Sequence, residues 1–219
     1  MSSIIEKREQ EMDYLFAAKF IAALEKVNNY DLGGEMDLML VSSNPIITMT
    51  YVTRHPEKKW DWQGLTNNPS IPLEYMDAHP EYPWNQDEYD FRKYGGEEAQ
   101  LDSENEPCDI RETIAHLERF TEHESEMGDD MDPNDLERSL WSSISDEPNV
   151  TLEIIEQYYD KPWNYFVLSS NPLPVAKKQF KKEYLAACKI QDAFAQAKYN
   201  PTYAYCRQQH IKFYNALLL

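Results

Sequence analysis

Glycine is scarce in this chain of 219 residues: there are six, and only Gly33-Gly34 and Gly95-Gly96 are adjacent. A phosphate-cradling loop needs glycines whose backbone N–H groups can crowd an anion, so no such loop is expected. Cysteine is rarer still. Cys108, Cys188 and Cys206 are an odd number without metal-ligand spacing, which argues against a disulfide framework and leaves reduced thiols in a cytosol-like compartment as the expectation. Long apolar runs are missing too. Nothing approaches the roughly 20 residues of a membrane span, and the opening Met1-Ser-Ser-Ile-Ile-Glu6 soon turns charged, so neither leader nor membrane anchor is expected.

Positive charge is in short supply: 21 Lys and Arg face 39 Asp and Glu, a formal charge of −18. Its location matters more than its total. Residues 77–138 hold 21 acids against 5 bases, whereas residues 170–219 hold 8 bases against 2 acids. The acidic middle repels nucleic-acid phosphates and attracts basic partners, this protein's own C-terminal segment among them. Apolar residues make up 42% of the chain and aromatics 13%, enough to fill one ordinary core or two small ones.

What the chain does have is a repeat. Val41-Ser-Ser-Asn44-Pro45-Ile-Ile-Thr48 lines up with Leu65-Thr-Asn-Asn68-Pro69-Ser-Ile-Pro72, with Ile144-Ser-Asp-Glu-Pro148-Asn-Val-Thr151, and with Leu168-Ser-Ser-Asn171-Pro172-Leu-Pro-Val175. Pro45 to Pro69 is 24 residues, as is Pro148 to Pro172. A second landmark keeps the same register, since Trp60, Trp84 and Trp163 each lie 15 residues after the proline. Two landmarks in one register define a repeat architecture, in which each unit buries its apolar face only against a neighbour.

Each unit reads as two short helices. Thr48 and Thr151 are N-cap residues whose hydroxyls can accept orphan N–H groups. Apolar pairs Met49/Val52, Leu73/Met76 and Leu152/Ile155 follow at helical spacing. These helices should end near His55-Pro56, His79-Pro80 and Tyr158-Tyr159, because a residue before proline avoids the helical region. A second helix should start at Asp61, Asn85 or Asn164, directly after the tryptophan, and deliver Leu65 or Leu168 to the core. The indoles, with Trp62 beside the first, are expected between the helices, packing on the following unit, since regular recurrence argues for packing over the alternative of a ligand-binding aromatic cage.

Around the repeats, Ser3-Ile-Ile-Glu6 looks like a capping box. Met12, Leu15, Phe16, Phe20, Ile21, Leu24 and Val27 continue at helical spacing, predicting one amphipathic helix from about Ser3 to Val27 that caps the repeats or meets a partner helix. Between the repeat pairs, Ile110 to Glu122 reads as a helix, and Asn105-Glu-Pro-Cys-Asp-Ile110 and Asp132-Pro-Asn-Asp135 as decayed repeat remnants. Val175 to Ala197 reads as a basic amphipathic helix and Thr202 to Leu218 as another. The expected fold is therefore all-α, a short solenoid-like helical-repeat body with capping helices at both ends. Its segments are an N-terminal helix at 1–30, a first repeat pair at 31–88, an acidic insertion with decayed repeats at 89–139, a second pair at 140–175 and basic helices at 176–219.

Recognisable chemistry is sparse. Asp130-Met-Asp-Pro-Asn-Asp135 fails as a calcium loop because its glycine position is Asp135 and its terminal glutamate position is Trp141. His55, His79, His116, His123 and His210 form no HExxH or tight metal spacing, and the first two occupy one repeat column. No Gly-x-Ser-x-Gly elbow occurs. No catalytic residue, cofactor or metal is expected.

The Asn-Pro-x-Ile-Thr, Lys-Lys-Trp60-Asp-Trp62 and Leu168-Ser-Ser-Asn-Pro172 pattern, over about 41–85 and 141–175, resembles a repeat common in uncharacterised proteins of giant amoeba-infecting DNA viruses, such as mimiviruses and marseilleviruses. The stretch Ile190-Gln191 … Asn200-Pro-Thr-Tyr-Ala-Tyr-Cys206-Arg207 is similar to another element of those viruses. It matches a calmodulin-binding IQ motif only at Ile190-Gln191, since Ala195 and Gln196 stand at that motif's arginine and glycine positions. The resemblance implies a viral protein acting in the host cytoplasm or at a virus factory, with virion or nucleus as further locations, and carries no catalytic residue. The expected function is a non-enzymatic scaffold binding host or viral proteins, basic ones among them, with homodimerisation as a further mode and no direct nucleic-acid or membrane partner. The alternatives are a minor virion component, an acidic binder of histone-like proteins, or an enzyme of unrecognised type.

Overall fold

The computed structural model describes residues 3–31, 36, 38–94, 110–111, 114–115 and 133–217. Among the described residues eleven α-helices are bounded and no strand occurs, so the chain is all-α. It divides into two compact units, Met1–Lys177 and Lys178–Leu219. Both repeat pairs lie in the first unit.

That unit is assembled largely from six-residue helices, far too short to persist alone in water. The N-terminal helix α1 (Ile4–Asp31) is followed by α2 (Leu38–Ser43), α3 (Met49–Arg54), α4 (Trp62–Asn67), α5 (Leu73–Ala78) and the longer α6 (Gln86–Tyr94). The second pair contributes α7 (Pro133–Asp146), α8 (Leu152–Gln157) and α9 (Tyr165–Ser170). Local chemistry sets their ends. Asp61 caps α4 by accepting Gly64 N at 2.7 Å, and Asn164 caps α9 by accepting Val167 N at 3.2 Å. Helices α3, α5 and α8 stop at His55, His79 and Tyr158, where the sequence places their ends. Helix α6 runs three residues longer than α4 because Arg92-Lys93 replaces the Asn-Pro that stops α4.

Thr48 departs from its expected role. It sits at the N-cap of α3 with extended backbone, but its hydroxyl makes no capping bond and, among the described residues, is a buried side-chain oxygen without a partner. The cause is a tightened first turn, in which Tyr51 N and Val52 N both donate to the Thr48 carbonyl, at 2.9 and 3.0 Å. Thr151 does cap α8, accepting Ile154 N at 3.4 Å.

Neighbouring helices pair as α7 with α9, α9 with α2, α2 with α4, and α4 with α6. These pairings form one row in that order. Spatial order is therefore not chain order: the 140–175 pair stacks ahead of the 31–88 pair, and the two halves join between α9 and α2.

Helix α1 lies against α3, α8 and α9, so it covers helices on both sides of that join. Its capping box closes reciprocally, with Ser3 N donating to Glu6 Oε2 at 2.7 Å and Glu6 N to Ser3 Oγ at 3.1 Å. Met12, Phe16, Phe20, Ile21, Leu24 and Val27 are buried as their spacing predicts, whereas Leu15 is exposed. Each fully buried Phe or Leu of this kind contributes roughly 1.5–3 kcal/mol. Polar contacts finish the seam: Lys58 pairs with Glu25 at 2.8 Å, and Lys26 donates to the Glu156 carbonyl at 3.3 Å.

After Pro172 the backbone turns at Leu173, φ 44°, a left-handed conformation costing a non-glycine residue of order 1–2 kcal/mol. Full burial of Leu173 offsets that strain. The turn leads directly into α10 (Pro174–Tyr199), which continues into the second compact unit, followed there by α11 (Ala204–Leu217). The predicted 110–122 helix falls mostly outside the described residues; 110–111 and 114–115 are helical, and Ile110 and Ile114 are buried. The remnant at 105–110 is outside them except for Ile110, and that at 132–135 except for its last three residues, which begin α7.

Candidate functional site

The Asn-Pro motif works as a turn that leaves a hand free. In Asn44, Asn68 and Asn171 the side-chain Oδ1 accepts the N–H two residues on, at 2.8, 2.8 and 2.9 Å, while the intervening proline fixes the backbone and has no N–H to satisfy. The amide NH2 is then available to reach across to the adjacent unit. Asn68 donates to the carbonyls of Ser42, Asn44 and Ile47 at 3.0, 2.8 and 2.9 Å, and Asn171 to those of Ser145 and Glu147 at 3.0 Å each. Asn44 donates to the carbonyls of Ser169 and Asn171 at 2.8 and 2.9 Å, the same pair of positions in the spatially preceding unit. All three asparagines are buried. Glu147 occupies the asparagine column of the remaining unit, and as a carboxylate it has no amide hydrogen to donate.

Twenty-four residues past Asn68 stands Arg92. Its guanidinium donates to the carbonyls of Thr66, Asn68 and Ile71, the positions equivalent to those Asn68 takes in the unit before. Arg92 thus closes the row with a fork where the repeat would supply an amide. The sequence contained that signal, since one more period from Asn68 lands on 92, but a charged residue does not look like an asparagine substitute.

A hydroxyl column is a second contribution that pattern reading missed. Ser42, Thr66 and Ser145 each donate to their own helix's carbonyl four residues back, at 2.7, 2.6 and 2.7 Å. Each also accepts the backbone N–H of the residue after the next tryptophan: Asp61 at 3.1 Å, Asn85 at 3.0 Å and Asn164 at 3.0 Å. Spacing of 19 residues in all three cases is the legible trace.

The tryptophans secure the hairpins. Trp60, Trp84 and Trp163 donate Nε1–H to the carbonyl five residues back, in His55, His79 and Tyr158, at 2.9, 2.8 and 2.7 Å. Their packing direction corrects the expectation. Trp84 meets Trp62 edge-on at 5.2 Å and Trp163 meets Trp141 at 4.7 Å, so these rings pack on the preceding unit's helix rather than the following one. Leu65 and Leu168 are fully buried as expected, and Pro45, Pro69, Pro148 and Pro172 sit on the turns, half-buried or exposed. No family model, curated protein or solved structure matches the chain.

Titratable groups with shifted behaviour lie in and just past α3 and α5. His55 Nδ1 meets Glu57 at 2.9 Å and His79 Nδ1 meets Glu81 at 2.8 Å. Glu57 is held below the usual carboxylate range by its own backbone N–H and then by His55; Glu81 is held low by His79 and then by its backbone. Asp77 is also lowered, first by the hydroxyl of Tyr89 and then by Lys93. Tyr51 is pushed up to about 12 by burial, with Glu25, Tyr14 and Glu57 adding to it. The two His–Glu pairs and Asp77 with Lys93 pair locally along the surface, whereas Tyr51 is buried.

In the second unit, the Asn200-Pro201 motif makes the same turn, Asn200 Oδ1 accepting Thr202 N at 3.0 Å. Arg207 donates to the carbonyls of Pro201 and Thr202 at 3.0 and 2.7 Å. The Asn-Pro-x-Tyr-x-x-Cys-Arg stretch is therefore a self-closed joint between two helices. Cys206 within it is buried.

Proposed function

We propose that this chain is a non-enzymatic interaction scaffold of giant-virus type that binds host or viral proteins in the infected cell, with self-association as a further mode. The observation that carries the reading is the surface of α10 and α11. Ile190, Phe194, Tyr199 and Ile211 are 70%, 56%, 71% and 60% exposed, among the exposed Lys181, Lys182, Lys189, Lys198 and Lys212. Ala186, Ile190 and Phe194 fall four residues apart and share a helix face. Large apolar side chains grouped in water mark a contact surface.

Among the described residues, no helix is long and apolar enough to cross a membrane. Affinity purification of the full chain from infected cells is the test, comparing it with the Ile190→Glu, Phe194→Glu double variant. Loss of specific partners from the variant is expected; an unchanged partner set would sink the reading.

A further inference from the structure

Two exposed helix faces of this chain carry opposite charge and the same apolar character. Helix α6 ends the row of the first unit, and its inner side is engaged there. Arg92 donates to the carbonyls of Thr66, Asn68 and Ile71, Tyr89 donates its hydroxyl to Asp77, and Lys93 pairs with that same carboxylate at 3.5 Å. A helix turns by about 100° per residue, which gathers Asp87, Asp90, Phe91 and Tyr94 on the opposite arc. Phe91 and Tyr94 are 69% and 76% exposed, and both aspartates are exposed beside them. Asp90 accepts from Gln86 at 3.0 Å within its own helix. With both of the helix's bases turned inward, the outer arc is acidic and aromatic.

Helix α10 carries the counterpart. Lys182, Leu185, Ala186 and Lys189 stand at i, i+3, i+4 and i+7, the four corners of a hole that can receive a side chain from a facing helix. All four are exposed, and the small Ala186 leaves depth for a ring. The apolar edge of the hole continues into the exposed Ile190 and Phe194. Glu183, the acid next to Lys182, is bonded by Gln179 at 3.0 Å.

We propose that α6 of one copy docks on this face of α10 in a second copy, Phe91 entering the hole while Asp87 and Asp90 pair with Lys182 and Lys189. Charge selects the occupant. Each copy carries −18, so two copies meeting at random repel, but residues 170–219 hold 8 bases against 2 acids and reverse the local sign. Only an approach that brings the acidic arc onto this basic segment is attractive, and every chain supplies both faces in equal number. Because the faces differ, the contact is head to tail: each copy keeps one face for a further neighbour, and the assembly lengthens or closes into a ring. This contact rests on the scaffold reading and names a partner for its α10 surface.

The test is the mass of the full-length protein in sedimentation equilibrium over a concentration series. The average mass should rise above the 25.8 kDa of one chain and fall back as salt is raised. Asp87→Lys with Asp90→Lys should weaken association by about tenfold or more, as should Lys182→Glu with Lys189→Glu, since like charges then face each other. Phe91→Ser, which leaves every charge in place, should weaken it too. All these side chains are exposed, so circular dichroism should match the parent. Mixing the two charge-reversed proteins should restore association, because the native pair of faces and its charge-inverted twin are then both present. A mass that stays at one chain, or no recovery on mixing, overturns the contact. Association that survives Phe91→Ser and yields to salt alone would be general attraction and would overturn the seat. If the mass stays at one chain while the partners captured through Ile190 and Phe194 persist, self-docking falls and the scaffold reading stands; if association follows the expected pattern and no partner is captured, the reverse holds.

Discussion

Two interfaces in the first unit use the same amide-to-carbonyl chemistry and differ in how the chain connects them. Asn68 bonds carbonyls 21 to 26 residues away, and Asn44 bonds carbonyls 125 and 127 residues away. The second contact joins halves that are not neighbours in the chain, yet its distances match the first. Stacking here is dictated by complementary turn surfaces, an amide facing two carbonyls, and not by chain adjacency. The join has a further brace: α1 packs on α3 and on α8 and α9, so one long helix ties the halves together.

The strongest way to break that comparison is Asn44→Asp. A carboxylate buried against two carbonyl oxygens meets repulsion where an amide had two bonds, and the expected cost is several kcal/mol. Asn44→Ala and Asn68→Ala should each cost about 2–4 kcal/mol from orphaned carbonyls, but with different signatures. In urea, Asn68→Ala should keep one transition, whereas Asn44→Ala should separate the halves, so hydrogen exchange at 144–170 and at 41–67 no longer tracks together. Coincident exchange in Asn44→Ala would remove the distinction.

A smaller effect probes the tight approach of α4 to α2. An added methyl at Gly64 would stand 2.8 Å from the Met39 carbonyl oxygen and 3.0 Å from Ser42 Cβ. Gly64→Ala should therefore destabilise by roughly 1–3 kcal/mol despite its gain in helix propensity. A thermal midpoint at or above that of the parent would show that α2 can yield. Arg92→Lys should cost less, about 1 kcal/mol, because an ammonium cannot span three carbonyls; the loss should appear as faster exchange confined to α6.

The smallest effect concerns Tyr51, buried against Tyr14 of α1. Tyr51 titrates at about 12 in the folded chain, against roughly 10 when unfolded. The stability contributed by its neutral phenol is complete below pH ~10 and is lost as pH rises through about 12. Tyrosinate absorbance should show a last step near that value, missing in Tyr51→Phe. Tyr75 is also raised, by burial first and then by Tyr82.

How far these features could be read in advance depended on their range. Helix starts at Asp61 and Asn164, stops at His55 and His79, and the box at Ser3 are bonds spanning two to four residues, so residue type and spacing fix them. The repeat was legible because two landmarks share one period. Even so, Thr48 shows that a local rule can lose to its own backbone, and Leu15 that periodicity blurs at a helix edge.

The sequence by itself determined an all-helical chain, its 24-residue turns and the burial of Leu65, Leu168, Trp60 and Trp163. Only the tertiary structure decided that the second repeat pair stacks ahead of the first, that Asn44 and Asn171 meet, that Arg92 takes the next amide's place, and that α1 covers Tyr51 but not Tyr75. Those outcomes belong to folding in three dimensions for one physical reason. A buried carbonyl must find a donor, but nothing in the local sequence says which donor, 24 or 127 residues away, will be the one that arrives.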